Sequence, residues 1–158
     1  MTDSPAELLI KKLSAASKTL VLAESCTAGL VADLLAQVPG ASSVLWGSFV
    51  CYTVAAKTAM LGVEADLVLR YGAVSRETAC AMAQGALERS GADMAVSVTG
   101  LAGPQGDGSA VPVGTVWIGT MLRGEAAQAS VFHYTGSRNG VRAAAAAAAL
   151  GELIHRIP

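Results

Sequence analysis

The spacing of apolar and polar positions changes several times along the chain, and each change predicts an element. "AELLIKKLSAAS" places Leu8, Leu9, Lys12 and Leu13 at helical spacing. Ser4 offers a capping hydroxyl ahead of it, and Pro5 stands where no amide hydrogen is needed. "TLVLAE" is almost wholly apolar, as expected for a strand covered on both faces. A helix is expected from Thr27 to Val38 and is broken by "PGASS". "WGSFVCYT" reads as a strand rich in aromatic and β-branched residues. "AAKTAMLG" and "EADLVLRYG" read as two short helices, and Ser75 caps a long one, "RETACAMAQGALERSG". "DMAVSVTG" is a buried strand, and "TVWIGTML" with "AAQASVFHYT" forms a hairpin around "RGEA". "GSRNG" leads into a final helix from Val141.

Strands alternate with helices early and pair late. That order predicts an α/β fold, a three-layer α/β/α domain with a mixed, mostly parallel sheet. Neither an internal repeat nor an interdomain linker breaks residues 1–158, so one domain is expected.

Composition narrows the function classes. The hydrophobic fraction is 53% and the charged fraction 15%. No apolar run reaches the roughly 18 residues of a membrane span, and the start lacks a signal-peptide core. A cytoplasmic protein without membrane contact is expected. The net charge of -1 comes with no basic block, so nucleic acid is not an expected partner. Low charge and alanine-rich helices point to self-association, with a dimer as first choice. Cys26, Cys51 and Cys80 are scattered, and His133 and His155 are too far apart to build a metal site alone.

Ligands of such sheets gather at loops after the carboxyl ends of strands. Four segments qualify. Glu24-Ser25-Cys26-Thr27 is either a plain helix cap or an anion site made of free amides and two hydroxyls. Gly40 to Lys57 contains Ser42, Ser43, Tyr52 and the only lysine after residue 18. Lys57 is either one solvated charge or, among Ala55, Ala56, Ala59 and Met60, a dehydrated amine of lowered pKa. Such an amine can take the proton of a serine hydroxyl, a poor nucleophile by itself. Gly100–Gly114 carries five glycines and two prolines, yet matches neither the phosphate-loop nor the dinucleotide pattern. It is either a flexible excursion or a loop whose amides reach a ring or a carbonyl oxygen. "TGSRNGVR" either caps the last helix or uses Arg138 to grip a phosphate or carboxylate.

The order of these segments resembles the CinA carboxy-terminal domain family, whose active members are nicotinamide-mononucleotide deamidases. The matching stretches are "AESCTAGLVA", "PGASSVLWGSFVCYTVAAKTAMLGV", "YGAVSRETACAMAQGAL", "ADMAVSVTGLAGPQGDGSAVPVGTVWIG" and "YTGSRNGVR". They run from about residue 7 to the end. The resemblance implies a three-layer fold and hydrolysis of the carboxamide of nicotinamide mononucleotide to nicotinic acid mononucleotide and ammonia. It implies no metal or cofactor for that step. Larger relatives carry an additional amino-terminal pyrophosphatase domain, whose activity is not expected of this chain.

Residue by residue, the resemblance implies Lys57 as the base and Ser42 as the first-choice nucleophile, with Ser25 as the rival. It implies Tyr52 as a donor or proton relay at the reacting centre. Thr27, Thr99, Gly100, Ala102 and Gly103 are expected along the substrate, with Arg138 and Arg142 toward its phosphate. The chain departs from the family pattern at Val54 (asparagine in the family), Ala55, Ala28, Val111 and Ser137. These departures put a catalytically weak or silent nucleotide-binding relative beside the enzyme reading.

Overall fold

The computed structural model describes residues 2–157. Its sheet has five strands: β1 (Leu20–Glu24), β2 (Leu45–Val50), β3 (Met94–Gly100), β4 (Thr115–Leu122) and β5 (Gln128–His133). They lie in the order β2-β1-β3-β4-β5. β1 pairs in parallel with both β2 and β3, whereas β3–β4 and β4–β5 are antiparallel. Four of the five strands therefore point one way, and only β4 runs against them.

Six helices cover the sheet: α1 (Pro5–Ala15), α2 (Leu30–Ala36), α3 (Val54–Leu61), α4 (Ala65–Tyr71), α5 (Arg76–Ser90) and α6 (Arg138–Arg156). The strand period of two splits β1 between both faces. Leu20 and Leu22 join a core with Leu9 and Leu13 of α1, Leu35 of α2 and Leu153 of α6. Val21 and Ala23 join a second core with Leu61 of α3, Val68 of α4 and Met82 of α5. β1 is wholly buried because it is central and covered twice, as its apolar run predicts. Each leucine fully buried in these layers contributes about 2 kcal/mol.

Local chemistry sets most helix ends. Ser4 and Glu7 form a capping box on α1, and the Ser75 hydroxyl accepts from Thr78 N–H at 3.1 Å on α5. Two starts differ from expectation. α2 begins at Leu30, not Thr27, because Ala28 and Gly29 take positive φ values of 49° and 99°. α6 begins at Arg138, three residues before the expected Val141. Ser137 caps it by accepting from Gly140 N–H at 3.1 Å, and a glycine in a first turn is no obstacle to such a start. Among the described residues, no helix is long and apolar enough to cross a membrane.

Candidate active site

The parallel strands β1 and β2, together with β3, deliver their following loops to one end of the sheet. There they surround a cleft of about 220 Å³. Ser25 follows β1, Tyr52 follows β2, and Gly100 to Gly103 close β3 and continue from it. Arg138, at the start of α6, stands at the rim.

Lys57 lies on α3 and points to the floor. It is 2% exposed, although it is the longest side chain of its helix. Its Nζ lies 2.8 Å from Ser25 Oγ, 3.1 Å from the Cys51 carbonyl oxygen and 3.5 Å from that of Tyr52. Among the described residues no carboxylate stands within ion-pair distance of it. Burial therefore holds the amine below its usual range, partly offset by the nearby thiols of Cys51 and Cys26. Nζ donates toward all three oxygens; in its neutral form the amine keeps two N–H groups for the carbonyls and can turn its lone pair to the Ser25 hydroxyl.

Glu24, the last residue of β1, explains the late start of α2. Its carboxylate is 1% exposed and accepts from the amides of Gly29 (2.9 Å), Val31 (3.0 Å) and Ala32 (3.0 Å). It also accepts from Ser48 Oγ at 3.1 Å. The amides at this helix start are thus occupied from within the chain. The expectation that they hold a ligand anion is corrected: Glu24 is the anion. Neither does Ser25 cap α2; its hydroxyl faces Lys57 and the Tyr52 carbonyl, the latter at 3.4 Å.

The expected site residues separate into two groups. Ser25, Tyr52, Lys57, Thr99, Gly100, Ala102, Gly103 and Arg138 line the cleft. Ser42 does not. It lies in the turn before β2, while the cleft opens after β2. Six residues of strand, about 20 Å, intervene. The placement of Ser42 beside Lys57 is corrected: parallel pairing of β2 with β1 sends its start to the far end of the sheet. Arg142 is also diverted. Its guanidinium donates to the carbonyls of Cys26 (2.9 Å) and Thr27 (3.0 Å) and to Asn139 Oδ1 (3.0 Å), bracing the loop that carries Ser25. Thr27 is fully buried outside the cleft lining, and its hydroxyl has no partner among the described residues.

Tyr52 is half-exposed, and its phenol bonds neither Ser25 nor Lys57. The phenol oxygen accepts from Arg138 Nη2 at 2.7 Å, and Arg138 Nη1 donates to the Gly103 carbonyl at 2.6 Å. Its main-chain oxygen, not its hydroxyl, faces Ser25 and Lys57. The Thr99 hydroxyl donates to the Ala73 carbonyl at 2.7 Å, so this residue shapes the wall. Gly100 admits no side chain, since a Cβ there meets Val116 Cγ2 at 2.8 Å and the Thr115 carbonyl at 2.9 Å. Gln105 and Asp107 of the glycine-rich loop also line the cleft, which the sequence reading did not single out. Asp107 is held below the usual carboxylate range by the Ser109 hydroxyl and amide.

Cys26 borders the cleft as well, but burial pushes its thiol up to about 11. It stays protonated near neutral pH, where a thiol is a weak nucleophile. No cluster of three or more His, Cys, Asp or Glu side chains is placed to hold a metal ion among the described residues. The amides of Cys26, Ala102 and Gly103 donate to no other protein group among the described residues. They are donors not engaged within the chain.

A serine hydroxyl against a buried, unpaired lysine, at the carboxyl end of a doubly covered sheet, defines a Ser–Lys site on a three-layer α/β domain. Comparison with known proteins gives the family. Residues 2–157 match the CinA C-terminal domain, and the chain belongs to that family. A CinA-like protein of Akkermansia muciniphila is 48% identical over 132 residues, 84% of this chain and 32% of its own length. One from an Anaeromyxobacter species is 44% identical over 151 residues, 96% of this chain and 37% of its own. The chain thus spans about a third of the length of these relatives. Among solved structures, the competence/damage inducible protein CihA of Agrobacterium tumefaciens superposes with a TM-score of 0.90 at 39% identity. That match covers 98% of this chain and 97% of the other. A CinA superfamily protein of Klebsiella pneumoniae gives 0.93 at 30% identity, covering 97% and 95%.

Proposed function

We propose that this chain hydrolyses the carboxamide of nicotinamide mononucleotide, giving nicotinic acid mononucleotide and ammonia, with Ser25 as nucleophile and Lys57 as base. The observation that carries the reading is the 2.8 Å approach of the buried Lys57 amine to the Ser25 hydroxyl. Neutral Lys57 takes the hydroxyl proton as Ser25 Oγ bonds to the carboxamide carbon. The resulting oxyanion is received by backbone amides such as those of Cys26 and Gly103, each worth about 3 kcal/mol in such a role. The Lys57 ammonium then returns the proton to the departing nitrogen, and the C–N bond breaks. Water, deprotonated by the same amine, clears the acyl-enzyme. The positive pyridinium nitrogen draws electrons from the carbonyl and favours attack. Arg138 has N–H donors beyond the two engaged at Tyr52 and Gly103, and these suit a phosphate.

Ammonia release from nicotinamide mononucleotide by the purified chain, followed with a coupled dehydrogenase, tests the reading. Steady release abolished by Ser25→Ala is expected. Saturable nucleotide binding without ammonia supports the second reading, a binding relative. Val54 favours it: this exposed apolar side chain lines the cleft where the family pattern has asparagine.

A further inference from the structure

We propose that Tyr52 couples the phosphate end of the substrate to the Ser25–Lys57 pair, as a positioning residue that sets specificity for phosphorylated amides. The inference rests on the amidase reading above. Tyr52 spans the cleft. At the mouth its phenol oxygen accepts from Arg138 at 2.7 Å. At the floor its main-chain oxygen lies 3.5 Å from Lys57 Nζ and 3.4 Å from Ser25 Oγ. The residues on either side are pinned. Cys51 N–H donates to the Glu24 carbonyl at 2.9 Å, and Thr53 caps α3 through Ala56 N–H at 3.1 Å.

The lengths carry the argument. The two contacts of Arg138 at the mouth, 2.6 and 2.7 Å, are short. The two contacts of the Tyr52 carbonyl at the floor are longer than the roughly 2.7–3.0 Å of well-formed bonds. The chain therefore holds the phenol firmly and the carbonyl loosely. A phosphate takes the Arg138 N–H donors left free by Tyr52 and Gly103, and a charged acceptor makes about twice the bond. As the guanidinium turns toward the anion, the phenol follows. A displacement of about half an ångström closes the contact from Lys57 Nζ to the Tyr52 carbonyl to normal length.

Closure has a direct chemical consequence. With both N–H groups of the neutral amine engaged by Cys51 and Tyr52, the lone pair is left aimed at the Ser25 hydroxyl. Hydrogen bonds of a resting site commonly tighten in this way only once substrate is bound. An amide without the phosphate enters the same cleft and does not draw on Arg138. The phosphate then raises kcat as well as lowering KM, because its binding energy is spent on the reacting centre.

The test compares ammonia release from nicotinamide mononucleotide and from nicotinamide riboside, for the wild-type chain and for Tyr52→Phe. Phenylalanine keeps the ring and the carbonyl and removes only the hydroxyl. In the wild type, kcat for the nucleotide should exceed that for the riboside by about ten-fold, the size of one hydrogen bond to a charged group. In Tyr52→Phe that ratio should fall to within about two-fold of unity, whatever loss the two substrates share. A ratio unchanged by the substitution overturns the coupling.

A second arm needs no amide hydrolysis. The rate constant for inactivation of Ser25 by phenylmethylsulfonyl fluoride is measured at one pH, with and without inorganic phosphate. Phosphate should raise it several-fold in the wild type and leave Tyr52→Phe unaccelerated. No acceleration in the wild type overturns the coupling even where ammonia is released. Acceleration without ammonia from either substrate supports the coupling and removes the amidase reading instead.

Discussion

Replacing Lys57 with methionine separates its chemical role from its volume. The side chain is nearly as long, unbranched and apolar, so it fills the same buried space beside α3. It deletes an amine within reach of Ser25 Oγ, at 2.8 Å, and of the Cys51 carbonyl, at 3.1 Å. Ser25 loses the only basic group within hydrogen-bond distance of its oxygen among the described residues. General-base catalysis is worth about 10²–10⁴-fold, so kcat should fall by about a thousand-fold. Nucleotide affinity, measured by isothermal titration calorimetry, should change by less than about three-fold, since Arg138 and the glycine-rich loop are untouched. Turnover within ten-fold of wild type would refute the role assigned to the amine.

The same amine predicts two pH dependences of definite sign. Lys57 acts as base only when neutral, so kcat/KM should rise with pH through its folded-state pKa. Burial places that limb below 10.5, the ordinary value, and Lys57→Met removes it. For stability, a lowered pKa means that the unfolded chain binds more protons between the folded value and 10.5. Stability therefore rises with pH across that window, and the burden of a buried charge is fully present below it. Denaturant midpoints for wild type and Lys57→Met should converge as pH rises.

Ser25→Ala should abolish ammonia release, and Ser42→Ala should leave it within about two-fold, because Ser42 lies at the other end of β2; the reverse pattern would restore Ser42 as nucleophile. Glu24→Ala strands three amides and the Ser48 hydroxyl. At about 1–3 kcal/mol per unsatisfied buried group, the loss should be at least about 3 kcal/mol, with Tm lower by about 6–12 °C. A scanning-calorimetry change under about 2 °C would remove the carboxylate from this role. Gly119→Ala places a Cβ 2.5 Å from the Ala79 carbonyl and from Ser97 Oγ, between β4 and α5. Overpacking of that kind costs about 1–3 kcal/mol, and a fully stable variant would contradict the closeness of the two layers.

The amino-acid sequence by itself determined the elements and their order, because their signals are local. Runs of β-branched and apolar residues mark β1 and β3, and Ser4 and Ser75 mark helix starts through bonds spanning three residues. The lone lysine among alanines was legible as a dehydrated amine for the same reason: its neighbours on α3 are its own sequence neighbours. Partnership between distant segments was not legible. Ser25 and Lys57 are 32 residues apart, and Ser42 is nearer in sequence to Lys57 than Ser25 is. Only the parallel pairing of β1 and β2 decides which serine shares an end of the sheet with the amine. Likewise the Glu24 carboxylate, the Arg142 guanidinium and the Tyr52 carbonyl took their partners from segments that the folded chain brings within 3.5 Å. A side chain's type is written in the chain, but its partner depends on strand register and layer distance, which many weak contacts set together.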